Sequence, residues 1–154
     1  MELKEIISEN RTLYLDRVYG SKQELLSELL DHLLAQDGLL AYKAEILQTL
    51  VDREDSMSTG IGQGIAIPHC STGHEKDLSA LLTVLKHPID YQSVDEDPVR
   101  ILILLLLPKD RFEKHIKTLA AIARQFNDPA FRQEIASADS AETIYQLIQR
   151  QAAK

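Results

Sequence analysis

Residues 58–70, Ser-Thr-Gly-Ile-Gly-Gln-Gly-Ile-Ala-Ile-Pro-His-Cys, gather the residue types in this chain that are best suited to chemistry. Gly60, Gly62 and Gly64 alternate with Ile61 and Gln63, so the backbone can come close to another group or take positive φ without a Cβ penalty. Ile65, Ala66 and Ile67 predict a short buried strand. Pro68 is expected to end its ladder, having no N–H and holding residue 67 extended. His69 is then left at the strand's end, on a loop. An imidazole there keeps a free-base nitrogen near neutral pH and can serve as ligand, base or nucleophile.

Other chemistries compete for the same residues. His69, Cys70 and His74 put soft and borderline metal ligands within six residues, but a structural zinc site wants four at recognised spacings, and the chain has one cysteine. Cys70 is also a thiol beside the imidazole, whose reactivity depends on its pKa and exposure. The glycines form G-x-G-x-G, without the spacing of the dinucleotide fingerprint or the Lys-Ser/Thr of a P-loop, so a nucleotide enzyme is not implied. His115 falls at i, i+4, i+7 with Leu119 and Ile122, and by spacing alone reads as a histidine at the edge of a core. Glu54 and Asp55 follow Arg53 at a predicted helix C-terminus, where the dipole disfavours acids; solvent is their expected place, and both stay outside the candidate site. His32 and His87 have nothing around them to suggest more than structure.

The elements that must position these residues are legible from periodicity. Leu13-Tyr14-Leu15 reads as an edge strand. Ser21 and Glu24 have capping-box spacing, and Leu25, Leu26, Leu29, Leu30, Leu33 and Leu34 follow at helical spacing up to Gly38. A second helix begins near Tyr42, shows Ile46, Leu47, Leu50 and Val51 on one face, and ends at Arg53-Glu54-Asp55. Residues 78–86 predict a strand, with His87-Pro88-Ile89-Asp90-Tyr91 turning away from it. Residues 99–107 have no polar alternation beyond Arg100, which implies a central strand covered on both faces. Phe112, Ile116, Leu119, Ala123 and Phe126 mark a third helix; Asp128-Pro129 and Ser140 open two more. Strands grouped between helices predict an α+β, three-layer α/β/α fold: one domain over residues 1–154, its mixed central sheet flanked by helices on both faces.

Composition narrows the function. A chain of 154 residues with 44% hydrophobic and 27% charged side chains has the length of one domain, burying roughly 70% of its unfolded surface. A net charge of −7 and a pI near 5.2 argue against nucleic acid as a partner, since a phosphate-backbone binder needs a basic face. The longest apolar run, residues 101–107, is seven residues against the roughly 20 of a membrane helix, so no membrane insertion is expected. One cysteine and a charged, unpatterned N-terminus fit a reducing, cytoplasmic location.

The segment Ser-Thr-Gly-Ile-Gly-Gln-Gly-Ile-Ala-Ile-Pro-His resembles the active-site segment of the fructose/mannitol type of enzyme IIA domain of the bacterial phosphotransferase system, nearest its nitrogen-regulatory branch. Arg53-Glu54, Pro88-Ile89-Asp90-Tyr91, the run Val99–Pro108 and Lys114-His115-Ile116 extend the resemblance over roughly residues 5–150. It implies an α/β sandwich and a phosphoryl group accepted by His69 from a histidine-containing phosphocarrier protein. It also implies His115 as a donor steadying the phosphoryl oxygens. Arg53 would then supply a permanent cation, and Ser58, Thr59 and the backbone from Gly60 would bond phosphate oxygens. The group that orients the ring is not visible. No cofactor and no metal are implied. The phosphoryl group would go to a regulatory target or, alternatively, to a separate sugar- or polyol-specific IIB domain; the absence of an attached IIB or membrane domain favours regulation. The remote alternatives are a non-catalytic binding module or a metal-binding protein. The family usually has Gly where this chain has Cys70, which puts the local loop geometry in question.

Overall fold

The computed structural model of the protein describes residues 2–151. Along the chain lie α1 (Leu3–Ile6), β1 (Thr12–Leu15), α2 (Lys22–Asp37), α3 (Lys43–Ser56), β2 (Gly60–Gly62), β3 (Ile65–Ala66), β4 (His69–Thr72), β5 (Ser79–Ile89), β6 (Val99–Pro108), α4 (Phe112–Gln125), α5 (Pro129–Ser137) and α6 (Ala141–Arg150). The helix ends follow the expected chemistry. Ser21 Oγ accepts the Glu24 amide at 3.1 Å, and Gly38 closes α2 in the left-handed region at φ 71°. Asp128 and Ser140 accept amides of the first turns of α5 and α6.

The strands form one mixed sheet in the order β1-β5-β6-β3-β2, with β4 continuing along the β3 side of β6. β6 is parallel to β3 and β4 and antiparallel to β5, and β1 is parallel to β5 at the edge. Successive residues of a strand point to opposite faces, so a run that is apolar throughout must be covered twice. Leu102, Leu104 and Leu106 pack with the leucines of α2 and with Ile46 and Leu50 of α3. Ile101, Ile103, Leu105 and Leu107 pack against Leu3, Ile122, Phe126, Phe131, Ile135, Ile144 and Ile148 from α1, α4, α5 and α6. The expected three-layer arrangement with a mixed sheet is the observed one. Among the described residues, no helix is long and apolar enough to cross a membrane.

Three local expectations are corrected. His69 is not on a loop: β3 stops before Pro68 as expected, but the Pro68 carbonyl accepts the Leu105 amide at 3.0 Å and the chain re-enters the sheet at His69, paired with Leu105. Proline lacks a donor but keeps its acceptor, and a strand needs only the latter at that position. β5 runs on through His87 and Pro88 to Ile89, with a register shift after Val84. On α4 the buried stripe is His115, Thr118 and Ile122, whereas Phe112 and Ile116 are 41% and 45% exposed. A helical stripe one position over satisfies the same 3.6-residue spacing.

Candidate functional site

His69 is the first residue of β4, partly buried, with its backbone held on the central strand. Its Nδ1 lies 2.8 Å from the carbonyl oxygen of Ile67. A carbonyl only accepts, so Nδ1 carries the hydrogen and Nε2 is left as the lone-pair nitrogen. The orienting group that sequence reading did not find is thus the chain's own backbone two residues earlier. Burial pushes the imidazole pKa below its ordinary value, the Ile67 bond opposes this, Arg53 pushes it further down and Glu54 pulls it up. The balance is a neutral ring with a nucleophilic nitrogen.

Arg53 stands in the last turn of α3 and donates from Nη1 to the Met57 carbonyl at 3.0 Å, using one of its donors on the helix end and bringing a fixed positive charge to bear on His69. Its neighbour Glu54 is not solvated. It is 5% exposed, and both carboxylate oxygens are engaged. Oε2 accepts from Lys22 Nζ and the Thr59 amide, each at 3.0 Å; Oε1 accepts from Tyr91 Oη at 2.8 Å and from the Thr59 hydroxyl. Burial opposes the charge, but these donors outweigh it and hold the carboxyl below its ordinary pKa. The Lys22 ammonium also sits 4.1 Å from the centre of the Tyr91 ring.

The expected phosphate-binding residues are tied into this network. Thr59 is buried on Glu54, and Ser58 Oγ donates to the Tyr91 carbonyl at 3.1 Å while accepting the Gly60 amide at 3.1 Å. The Gly60 backbone lies so close to Ser93 that a Cβ there would come within 2.3 Å of Ser93 Oγ. Gly62 then turns the hairpin at φ 95°, a region that side chains avoid, and the Gln63 amide is capped by Asp95 at 2.9 Å. The hydroxyls and amide of residues 58–60 therefore have internal partners that shape the loop beside His69.

His115 stands on α4. It is 3% exposed with Nδ1 unpartnered among the described residues, and its pKa is lowered first by burial and then by Lys114 and Arg111. It lines a cleft of about 770 Å³ with Arg11, Asp37, Glu75 and Ser79, a set that does not include His69. His74, on the same cleft, is bonded to Glu45 at 2.6 Å and stacked on Tyr42 at 3.8 Å. Cys70 packs in the α2–α3 side of the core, where burial pushes its thiol up to about 12, so it is neither a thiolate nor directed to the same face as His69. Missed by sequence reading were Glu54, Lys22 and Tyr91 as one cluster. The one available signal was an acid at a helix C-terminus where the dipole disfavours it.

Comparison with known proteins identifies the family. Residues 5–151 match the family model described as "Phosphoenolpyruvate-dependent sugar phosphotransferase system, EIIA 2". A nitrogen regulatory protein of Pseudomonas aeruginosa is 35% identical over 150 residues, covering 96% of this chain and 95% of that one. The crystal structure of nitrogen regulatory protein IIA-Ntr from Neisseria meningitidis superposes with a TM-score of 0.84 at 28% identity, over 95% of this chain and 98% of that one. The mannitol enzyme IIA of Escherichia coli, solved in complex with phosphorylated enzyme IIB, shares the fold with a TM-score of 0.69 at 19% identity, over 90% of this chain and 94% of that one. The chain belongs to the EIIA 2 family of the phosphoenolpyruvate-dependent sugar phosphotransferase system.

Proposed function

We propose that the protein is a cytosolic phosphoryl carrier in which His69 Nε2 takes the group from a phosphohistidine on a histidine-containing carrier protein. One P–N bond forms at Nε2 as the P–N bond to the donor imidazole breaks, and the donor nitrogen keeps the electron pair. No separate base is needed, because Nε2 carries no proton to remove. The observation that supports this most is the 2.8 Å bond between Nδ1 and the Ile67 carbonyl, which sets the tautomer and aims the other nitrogen. Arg53 supplies charge for the transferring oxygens, and the ring and loop are positioned before the donor arrives.

Likeness to nitrogen regulatory proteins over almost the whole chain supports a regulatory role, with phosphorylation changing which target the protein binds. Transfer to a separate IIB protein is the second reading, favoured by the sugar system that names the family. Incubation with phosphoenolpyruvate, the general first enzyme and a histidine carrier, followed by intact-mass measurement, tests the carrier role. One acid-labile phosphoryl group is expected on the wild type and none on His69→Ala; a phosphoryl group retained by His69→Ala refutes it. Sugar uptake lost on deletion of the protein would move the choice to the IIB reading.

A further inference from the structure

Glu54 is a buried carboxylate in a place that disfavours one twice: the negative end of the α3 dipole, and an interior where a charge needs paired donors. We infer that Glu54 is the positioning residue of the acceptor site, locking the turn at Thr59–Gly60 to the Tyr91 segment and setting a negative charge beside that of Arg53. This rests on the reading of His69 as the acceptor.

The geometry ties four chain segments to one side chain. Lys22 opens α2, Glu54 ends α3, Thr59 leads into the glycine hairpin, and Tyr91 starts the segment that packs on Gly60 through Ser93. A glutamine could fill the volume but has a single accepting oxygen for the four donors that converge here, and its amide would face Lys22 or Tyr91 donor to donor. The Thr59 contact also reaches His69 through the backbone, because the Thr59 carbonyl accepts the Ile67 amide at 3.0 Å, and the Ile67 carbonyl holds Nδ1. Glu54 thus orients the ring through two residues and touches neither the ring nor the transferred group. The charges bearing on His69 are Arg53 and Glu54, both from α3; the charge facing Glu54 is Lys22 from α2, with the neutral phenol of Tyr91 as a titratable donor beside it. Arg53 alone would leave the imidazole a poorer nucleophile, and Glu54 offsets it.

The test is the titration of His69, followed by NMR of the ring protons in Glu54→Gln and Lys22→Met, alongside kcat and KM for the donor carrier. Glu54→Gln is expected to lower the His69 midpoint and cut kcat about 10²-fold, with KM changing less, because misplacing a reacting group costs on that order. Lys22→Met, which unmasks the carboxylate, is expected to move the midpoint upward. Mere loosening of the fold would not move the two midpoints in opposite directions. A folded Glu54→Gln with the wild-type midpoint and kcat overturns the inference. Should Glu54→Gln not fold, an unchanged midpoint in Lys22→Met overturns it instead. The titration needs no donor, so a His69 that is never phosphorylated would sink the carrier reading while the midpoints still decide what Glu54 does.

Discussion

Arg53 and Glu54 are adjacent in the chain and act on one imidazole in opposite senses. In the proposed transfer Arg53 would stabilise the incoming oxygens, but it also depresses the basicity of the ring that would attack. Removing it separates the two effects. In Arg53→Met the His69 pKa should rise, because a lowering charge has gone, so the acid limb of the pH–rate profile for phosphoryl acceptance should shift to higher pH while the plateau rate falls. A limb that stays in place would show that Arg53 is too well solvated to act on the ring. Glu54 was hidden in the sequence because its donors come from residues 22, 59 and 91, and no local pattern announces such a convergence. His69, by contrast, stands out as a candidate through the resemblance of its Ile-Pro context and preceding glycines to a known segment, although the carbonyl that orients it does not.

At the scale of elements, the glycine hairpin owes its shape to close backbone approach. Gly60→Ala would place a Cβ 2.9 Å from Ser93 Cβ and 3.0 Å from Ser93 Cα, so backbone has to move. Overpacking of this kind costs about 1–3 kcal/mol. Urea denaturation should show that loss with an unchanged slope, and Ser93→Gly in the same chain should recover part of it. A Gly60→Ala midpoint equal to wild type would mean that the hairpin gives way freely. Local signals read well where an element is closed by its own chemistry: Ser21 with Glu24, Asp128 with Pro129, and Ser140 each cap the helix expected of them. They read poorly where partners are distant. β4 exists because β6 offers it a free edge, and the stripe of α4 is set by the core beneath it rather than by the exposed Phe112 and Ile116.

Across the whole molecule, the cleft lined by His115 makes a separate pH prediction. Asp37 accepts from Arg11 at 2.6 Å and from Ser79 at 2.5 Å, and Glu75 is bonded to the same carboxylate. Burial first, and then the bond to Asp37 and its charge, push Glu75 up to about 8. The folded chain therefore keeps a proton that the unfolded chain releases above the ordinary carboxyl value of 4.5. The stability from this group is fully present below that value and is lost as pH rises through about 8. Glu75→Gln keeps a neutral side chain throughout, so its Tm should fall less than that of wild type from about pH 6 to about pH 9, measured by calorimetry. Parallel Tm curves would dismiss the shared proton. The His69 ring has a consequence of its own at this scale. With one nitrogen held by Ile67, a phosphoryl group carried as proposed would have to arrive and depart through the same door. Giver and receiver could then not be seated together, and a surplus of either one would starve the other of access.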